Sequence, residues 1–255
     1  MKYRISYITD VGPVRENNED NYCIPGVSQR EDEHNEGTVI VDDGIPSIVA
    51  VFDGMGGEAY GQEASAIAAQ TFSSGMTDLA GDIWDGLDSL SIKANNAIVD
   101  MASERGVNTS GSAVAGVALS SGLLYPFNVG DCRVYRLNPG KVMQLTTDHT
   151  LGAKKVSLGI YTEEEAELMG ELNMLTSFLG VNIMGSGPRV GRYDPFELGD
   201  DALLICSDGL TNTFKADTIR DYIFDKEEPL ADMVTAACQS GLKDNVTCIL
   251  IRRVD

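Results

Sequence analysis

The chain predicts an α+β fold in one domain, built mainly on antiparallel strands. Short apolar or alternating runs bounded by Gly, Pro, Asn and Asp recur from Tyr3 to Arg252 and read as strands. Between the early and late runs lie two segments whose apolar residues return every three or four positions, the signature of helices with one buried face. No linker, internal repeat, low-complexity tract or charge block divides the 255 residues.

Tyr3–Thr9 alternates and reads as a half-buried strand; Asp10–Arg15 turns the chain, and Glu16–Asp20 crowds three acids and two Asn into five positions. Asn21–Pro25 reads as a second strand, and Gly26–Pro46 as an acidic hairpin excursion containing Thr38–Val41. Ile48–Phe52 is a buried strand running into Asp53, after which Gly54, Gly56 and Gly57 free the backbone. Ala64, Ile67, Ala68 and Phe72 predict a helix over Gln62–Met76. Ile83, Leu87, Leu90, Ala94, Ala97 and Met101 predict a longer one over Asp82–Arg105. From Ser112 to Thr146 the pattern is that of an antiparallel meander. Asp148–Arg192 is Gly-rich and irregular, with one short helix at Thr162–Gly170. Ala202–Cys206 is an apolar strand ending in Ser-Asp-Gly. Asp217–Phe224 and Pro229–Gly241 read as helices, and Val246–Arg252 as a closing strand.

The composition is 43% hydrophobic, enough for a sizeable core. With 39 Asp and Glu against 19 Lys and Arg, the net charge is -20. Such a chain repels nucleic-acid phosphates and anionic membranes, which argues against both as partners. Five cysteines, an odd number without a CxxC, read as reduced core residues. The N-terminus lacks the apolar core of a signal peptide, and no run approaches the ~18 apolar residues of a membrane span. The expected setting is cytoplasmic.

Four acids stand at equivalent places: Asp20 precedes a strand, Asp53 and Asp208 each end one and precede Gly, and Asp244 precedes the last strand. A turn role explains any one of them. If their strands are neighbours in one sheet region, the four share a site, and each pair at about 4 Å repels by roughly 4 kcal/mol at an effective dielectric of about 20. Protonation or divalent cations relieve that repulsion, and all-oxygen ligands suit Mg²⁺ or Mn²⁺. With 2 His and no HExxH, a zinc hydrolase site is disfavoured.

DVGPVRENNED (Asp10–Asp20), VFDGMGG (Val51–Gly57), NVGDCRVYRL (Asn128–Leu137), CSDGLTN (Cys206–Asn212) and DNVTCILI (Asp244–Ile251) together resemble, in order, the motifs of the PPM/PP2C-type protein phosphatases, bacterial subgroup. The resemblance implies a sandwich of two antiparallel sheets flanked by helix pairs, with two Mn²⁺ or Mg²⁺ ions at one end and a position for a third. It implies hydrolysis of phosphoserine and phosphothreonine in proteins by a metal-bridging hydroxide. Carried over by motif, Asp53 bridges the metals and Gly54 lends its carbonyl. Asp208 and Asp244 hold one ion, Glu19 serves the other, and Asp20 acts nearby through water. Asp131 matches a third-metal position, and Arg15 would clamp the substrate phosphate. The implied partners are phosphoprotein substrates of a Ser/Thr kinase, and the protein is expected to be a monomer.

Met55 replaces the His found in eukaryotic relatives, which leaves leaving-group protonation to a metal-bound water. Asn212 stands where many relatives carry a second Asp of the third site, Ser110–Ala113 departs mildly from Gly-Thr-Thr, and His149 fits a structural or substrate-loop role. Residues 151–192 align with the family's flap, though only Leu175–Gly180 matches well. Two other readings stand beside the general phosphatase: a module that kept the fold and lost its metals, and a phosphatase dedicated to one regulatory protein. No Cys is followed six positions later by Arg, and no P-loop occurs, so neither a cysteine nucleophile nor a nucleotide cradle is expected.

Overall fold

The computed structural model describes residues 1–29, 32–56, 60–107, 110–181 and 187–254. Its scaffold is two antiparallel sheets stacked face to face. One has six strands in the order β3 (His34–Asp42), β1 (Lys2–Asp10), β11 (Val246–Val254), β10 (Ala202–Cys206), β7 (Arg133–Asn138) and β8 (Lys141–Gln144). The other has five: β2 (Asp20–Cys23), β4 (Ser47–Met55), β5 (Gly111–Ser120), β6 (Leu123–Val129) and β9 (Gly191–Arg192).

The apolar runs of β4 and β11 lack alternation because both faces of each strand are covered. From β4, Val49 and Val51 enter the layer between the sheets with Ile5, Ile249 and Ile251. Ile48, Ala50 and Phe52 face the other way, against α1 (Tyr60–Ser74) and α2 (Ile83–Arg105). On the far side, Cys248 and Leu250 of β11 pack with Ile219, Met233 and Val234 of α6 (Ala216–Asp225) and α7 (Pro229–Gln239). The expected sandwich with flanking helix pairs is therefore present. Asp82 caps α2 by accepting from the N–H groups of Trp84 and Asp85, and Gly106 closes it in the left-handed region at φ 70°. All five cysteines are free thiols and four are buried, as expected.

The structure departs from the sequence reading at several elements. β3 is an exposed edge strand of 9 residues, longer than Thr38–Val41, because its outer half is polar. The Ser112–Thr146 meander is split: β5 and β6 pair in one sheet, β7 and β8 in the other. The chain changes sheets at Gly130–Cys132, which puts Asp131 at the crossing. Two short helices, α3 (Leu151–Ser157) and α5 (Asp208–Thr213), join α4 (Glu163–Leu168), the one anticipated in the irregular region. Gly57, part of the glycine-rich break, lies outside the described residues.

Phe72 of α1 meets Phe52 of β4 edge to face and stacks on Phe127 of β6, with centroids 5.3 and 5.9 Å apart. Phe72→Ala is expected to lower stability by about 3–5 kcal/mol in urea unfolding. Ile45→Ala, at a side chain 78% exposed, should change it by less than about 0.5 kcal/mol. Equal losses in the two variants would contradict this layering.

Candidate metal centre

β2 and β4 are antiparallel neighbours with Asp20 directly across from Asp53. In the other sheet Cys206 of β10 opposes Cys248 of β11. Asp208, just after β10, and Asp244, just before β11, therefore leave that sheet at the same end. The four acids come from two sheets that face each other, so the condition of neighbouring strands in one sheet region is met only pairwise, Asp20 with Asp53 and Asp208 with Asp244. Their fields still overlap: Asp53 is acted on by Asp20, Asp208, Asp131 and Asp244 together.

Asp20, Asp208 and Asp244 each have a side-chain partner, and the backbone of the acidic loop is braced beside them. Asp20 accepts a hydrogen bond from Ser207 Oγ (2.7 Å), and that oxygen accepts from the Thr247 N–H (3.0 Å), which bolts β2 to the opposite sheet. Asn18 Oδ1 accepts from the Asp20 N–H at 3.0 Å. Asn245 ties three segments, its Oδ1 accepting from the Glu19 N–H (2.8 Å) and its Nδ2 donating to the carbonyls of Val11 (2.8 Å) and Asn17 (3.0 Å). Asp208 accepts from Asn212 Nδ2 at 3.0 Å across one turn of α5. Arg15 Nη2 donates to Asp244 Oδ2 at 2.7 Å, and Arg15 Nε donates to the Lys243 carbonyl at 3.3 Å.

Gly54 must be glycine, since a Cβ there would lie 2.1 Å from the Gly61 carbonyl oxygen and 2.6 Å from that of Glu19. Gly61 in turn makes room for the Glu19 carboxylate, whose Oε1 would be 2.5 Å from an added Cβ. The strand end, the first turn of α1 and the acidic loop thus meet backbone to backbone.

Burial and mutual repulsion govern the protons. Burial raises Asp20 to about 7, against hydrogen bonds from Ser207 and Thr247 that pull it down, with Asp208 and Asp244 adding to the rise. Asp131 is also pushed to about 7, by burial and then by Asp208 and Asp148. Burial brings Glu19 to about 6 although Arg15 opposes it. Burial raises Asp53, with Asp20 and Asp208 adding to the rise, and burial followed by Asp244 raises Asp208.

Among the described residues, no three such side chains stand in a finished coordination shell. Their oxygens face Ser207, Asn212, Arg15 and one another instead. The donor set nonetheless fits a hard divalent cation. It is all oxygen, it holds several buried acids with Arg15 as the cation paired to it, and Gly54 brings a carbonyl in close. Met55, at the end of β4, packs partly buried against the inter-sheet layer. His149 Nδ1 accepts from the Gly130 N–H at 3.2 Å, a structural contact beside Asp131.

Ser207, Asn18 and Asn245 lie within the sequence motifs, but the motifs alone give them no role. The available signal was a polar residue at the end of an otherwise apolar strand. The same holds for Arg133, which grips Asp148 through Nε (3.0 and 3.1 Å) and Nη2 (2.6 Å) beneath Asp131.

A two-sheet sandwich whose strand ends gather carboxylates is a scaffold suited to divalent-metal chemistry. The family described as Protein phosphatase 2C matches residues 25–250. The serine/threonine phosphatase stp of Listeria welshimeri is 32% identical over 96% of this chain and 94% of its own length. The Mycobacterium tuberculosis serine/threonine phosphatase PstP/Ppp superposes with a TM-score of 0.80 at 25% identity over 100% of both chains. A structure of the PstP catalytic domain with 2 manganese ions superposes at 0.78 with 26% identity, covering 99% of this chain and 100% of that one. The chain belongs to the protein phosphatase 2C family, the metal-dependent serine/threonine protein phosphatases.

Carboxylates raised on folding oppose folding once ionised. Asp20 and Asp131 favour the fold fully below their ordinary value near 3.8, and that contribution is lost as pH rises through about 7. Thermal melts of the metal-free protein should fall from pH 5 to pH 8, and the fall should be shallower in Asp20→Asn and Asp131→Asn. Curves parallel to wild type would contradict the assigned repulsion.

Proposed function

We propose that this phosphatase holds its metals through Asp53, the Gly54 carbonyl, Asp208 and Asp244, with Glu19 and Asp20 serving the second position and Asp131 a third. The observation that supports this most strongly is the repulsive overlap of Asp20, Asp53, Asp131 and Asp208, which calls for cationic charge. Bound divalent cations supply Lewis-acid charge and bring the pKa of water towards neutrality. The chain's own residues do the rest. Asp20 lies deepest, and Ser207 fixes its orientation, so it can accept or relay a proton from water. Asp53 and Asp208 keep part of their surface exposed although the surrounding protein desolvates both carboxyls, so they stand nearer the opening than Asp20.

Arg15 stands at the rim with 48% of its side chain exposed. Nη2 is engaged by Asp244 and Nε by the Lys243 carbonyl, which fixes the guanidinium beside Asp244 and leaves the Nη1 hydrogens and one on Nη2 for a ligand. It can bond two phosphate oxygens at once. Asn212 keeps Asp208 in place by hydrogen bonding instead of providing a carboxylate, which supports a weaker third site. No helix among the described residues is long and apolar enough to cross a membrane. We assign residues 1–255 to one phosphatase domain with 150–192 as its flap, acting as a monomer in the cytoplasm on proteins phosphorylated by Ser/Thr kinases.

Hydrolysis of p-nitrophenyl phosphate and of a phosphothreonine peptide should vanish with chelator and return with Mn²⁺, and Asp208→Asn should lose at least about a hundredfold in kcat. Activity in chelator, or an unaffected Asp208→Asn, would overturn the assignment. Arg15→Ala should raise KM for the peptide about tenfold while Mn²⁺ affinity measured by calorimetry stays within about twofold. Collapse of metal affinity would move Arg15 from the phosphate to the metal shell.

A further inference from the structure

Beside the crossing at Gly130–Cys132 opens a cavity of about 800 Å³, bounded by the loop after β8, by α3 and by the residues leading into β9. Its lining includes His149, Lys154, Thr176, Ser177, Arg189 and Tyr193. The charge of this lining runs against that of the molecule. In a chain of net charge -20, Lys154 and Arg189 both face the cavity, and neither has a carboxylate partner among the described residues. The lining acid Asp148 is already gripped by Arg133 on three hydrogen bonds and by Gln144 Nε2 at 2.9 Å. Arg192, also at the wall, is engaged by Asp88.

Neutral donors complete the lining. His149 Nδ1 accepts from the Gly130 N–H, which leaves the ring proton on Nε2 as a donor. Burial and the nearby Arg189 charge both hold the ring neutral. Ser177 brings a hydroxyl whose Oγ accepts from the Arg189 N–H at 3.1 Å, fixing the backbone that carries the cation, while the Thr176 hydroxyl donates to the His149 carbonyl at 3.0 Å and braces that wall.

The cavity is joined to the metal centre through the main chain. The His149 N–H donates to the Gly130 carbonyl at 2.9 Å, and the Gly130 N–H returns a bond to the ring, so this wall lies one residue from Asp131. An extended peptide advances about 3.3 Å per residue. With one phosphate at the carboxylates, a neighbouring side chain can enter the cavity.

We propose that this cleft receives a second anionic group of the substrate, a carboxylate or a further phosphate a few residues from the phosphate being hydrolysed. Arg189 and Lys154 are its cationic contacts and His149 Nε2–H its neutral donor. The inference rests on the phosphatase reading above and adds a preference to it.

The test is steady-state kinetics on phosphothreonine peptides carrying Ala, Glu or a non-hydrolysable phosphonate residue at each position from three before to three after the phosphothreonine. Wild type, Arg189→Ala, Lys154→Ala and Arg189→Lys are compared, with p-nitrophenyl phosphate as the control substrate. In wild type an acid at one register should lower KM about fivefold relative to Ala, with kcat little changed. Arg189→Ala and Lys154→Ala should each remove most of that gain, Arg189→Lys should keep part of it, and p-nitrophenyl phosphate hydrolysis should be unaltered in all three variants. A larger gain with phosphonate than with Glu assigns the cleft to a second phosphate, and equal gains assign it to acidity in general; both support the site. KM indifferent to acids at every register, or a gain surviving both alanine variants, overturns it while leaving the phosphatase intact. Failure to hydrolyse any substrate would remove the phosphatase reading and this site together.

Discussion

The structure is organised by a repulsion it does not resolve with its own side chains. Asp20, Asp53, Asp131 and Asp208 are brought together by strand ends from both sheets, and all are pushed towards protonation by burial and by one another. A fold free to avoid this would have spread the acids apart or paired each with Lys or Arg. Instead the nearest arginine partners lie at the edges: Arg15 on Asp244 at the rim, and Arg133 on Asp148 behind the crossing. The deficit of positive charge sits at the centre, where a divalent ion fits.

The scaffold explains how such an arrangement survives folding. Apolar strands buried on both faces fill the layer between the sheets, and aromatic packing anchors α1 and α2 to the five-stranded sheet. The polar residues at the strand ends are cross-braced by neutral hydrogen bonds through Ser207, Asn18 and Asn245. Neutral braces suit this position because they hold the carboxylates without cancelling their charge. A lysine at position 207 would have satisfied Asp20 and left less for a metal to neutralise.

What the sequence disclosed follows from which signals are local. The apolar run into Asp53 and the long periodicity of α2 come through because each is set by burial along a continuous stretch. The partition of strands between sheets was not readable: nothing local distinguishes β6, which stays in one sheet, from β7, which leaves for the other. Whether acids share a neighbouring pair of strands or meet across the sandwich depends on that partition. The short helices α3 and α5 escaped because six or seven residues carry too few turns to show a period, and α5 is largely polar. Candidate ligands were legible as Asp-Gly and Asp-Asn at strand ends. Their braces were not, since a Ser or Asn acquires its role only from a partner on a distant strand.

The most direct test is a calorimetric titration of Mn²⁺ into the metal-free protein, alongside Asp53→Asn, with circular dichroism confirming that both are folded. The account predicts two tight sites in wild type and loss of at least one of them in the variant. Undiminished Mn²⁺ binding by folded Asp53→Asn, or none by wild type, would contradict the claim that these carboxylates converge to bind metal.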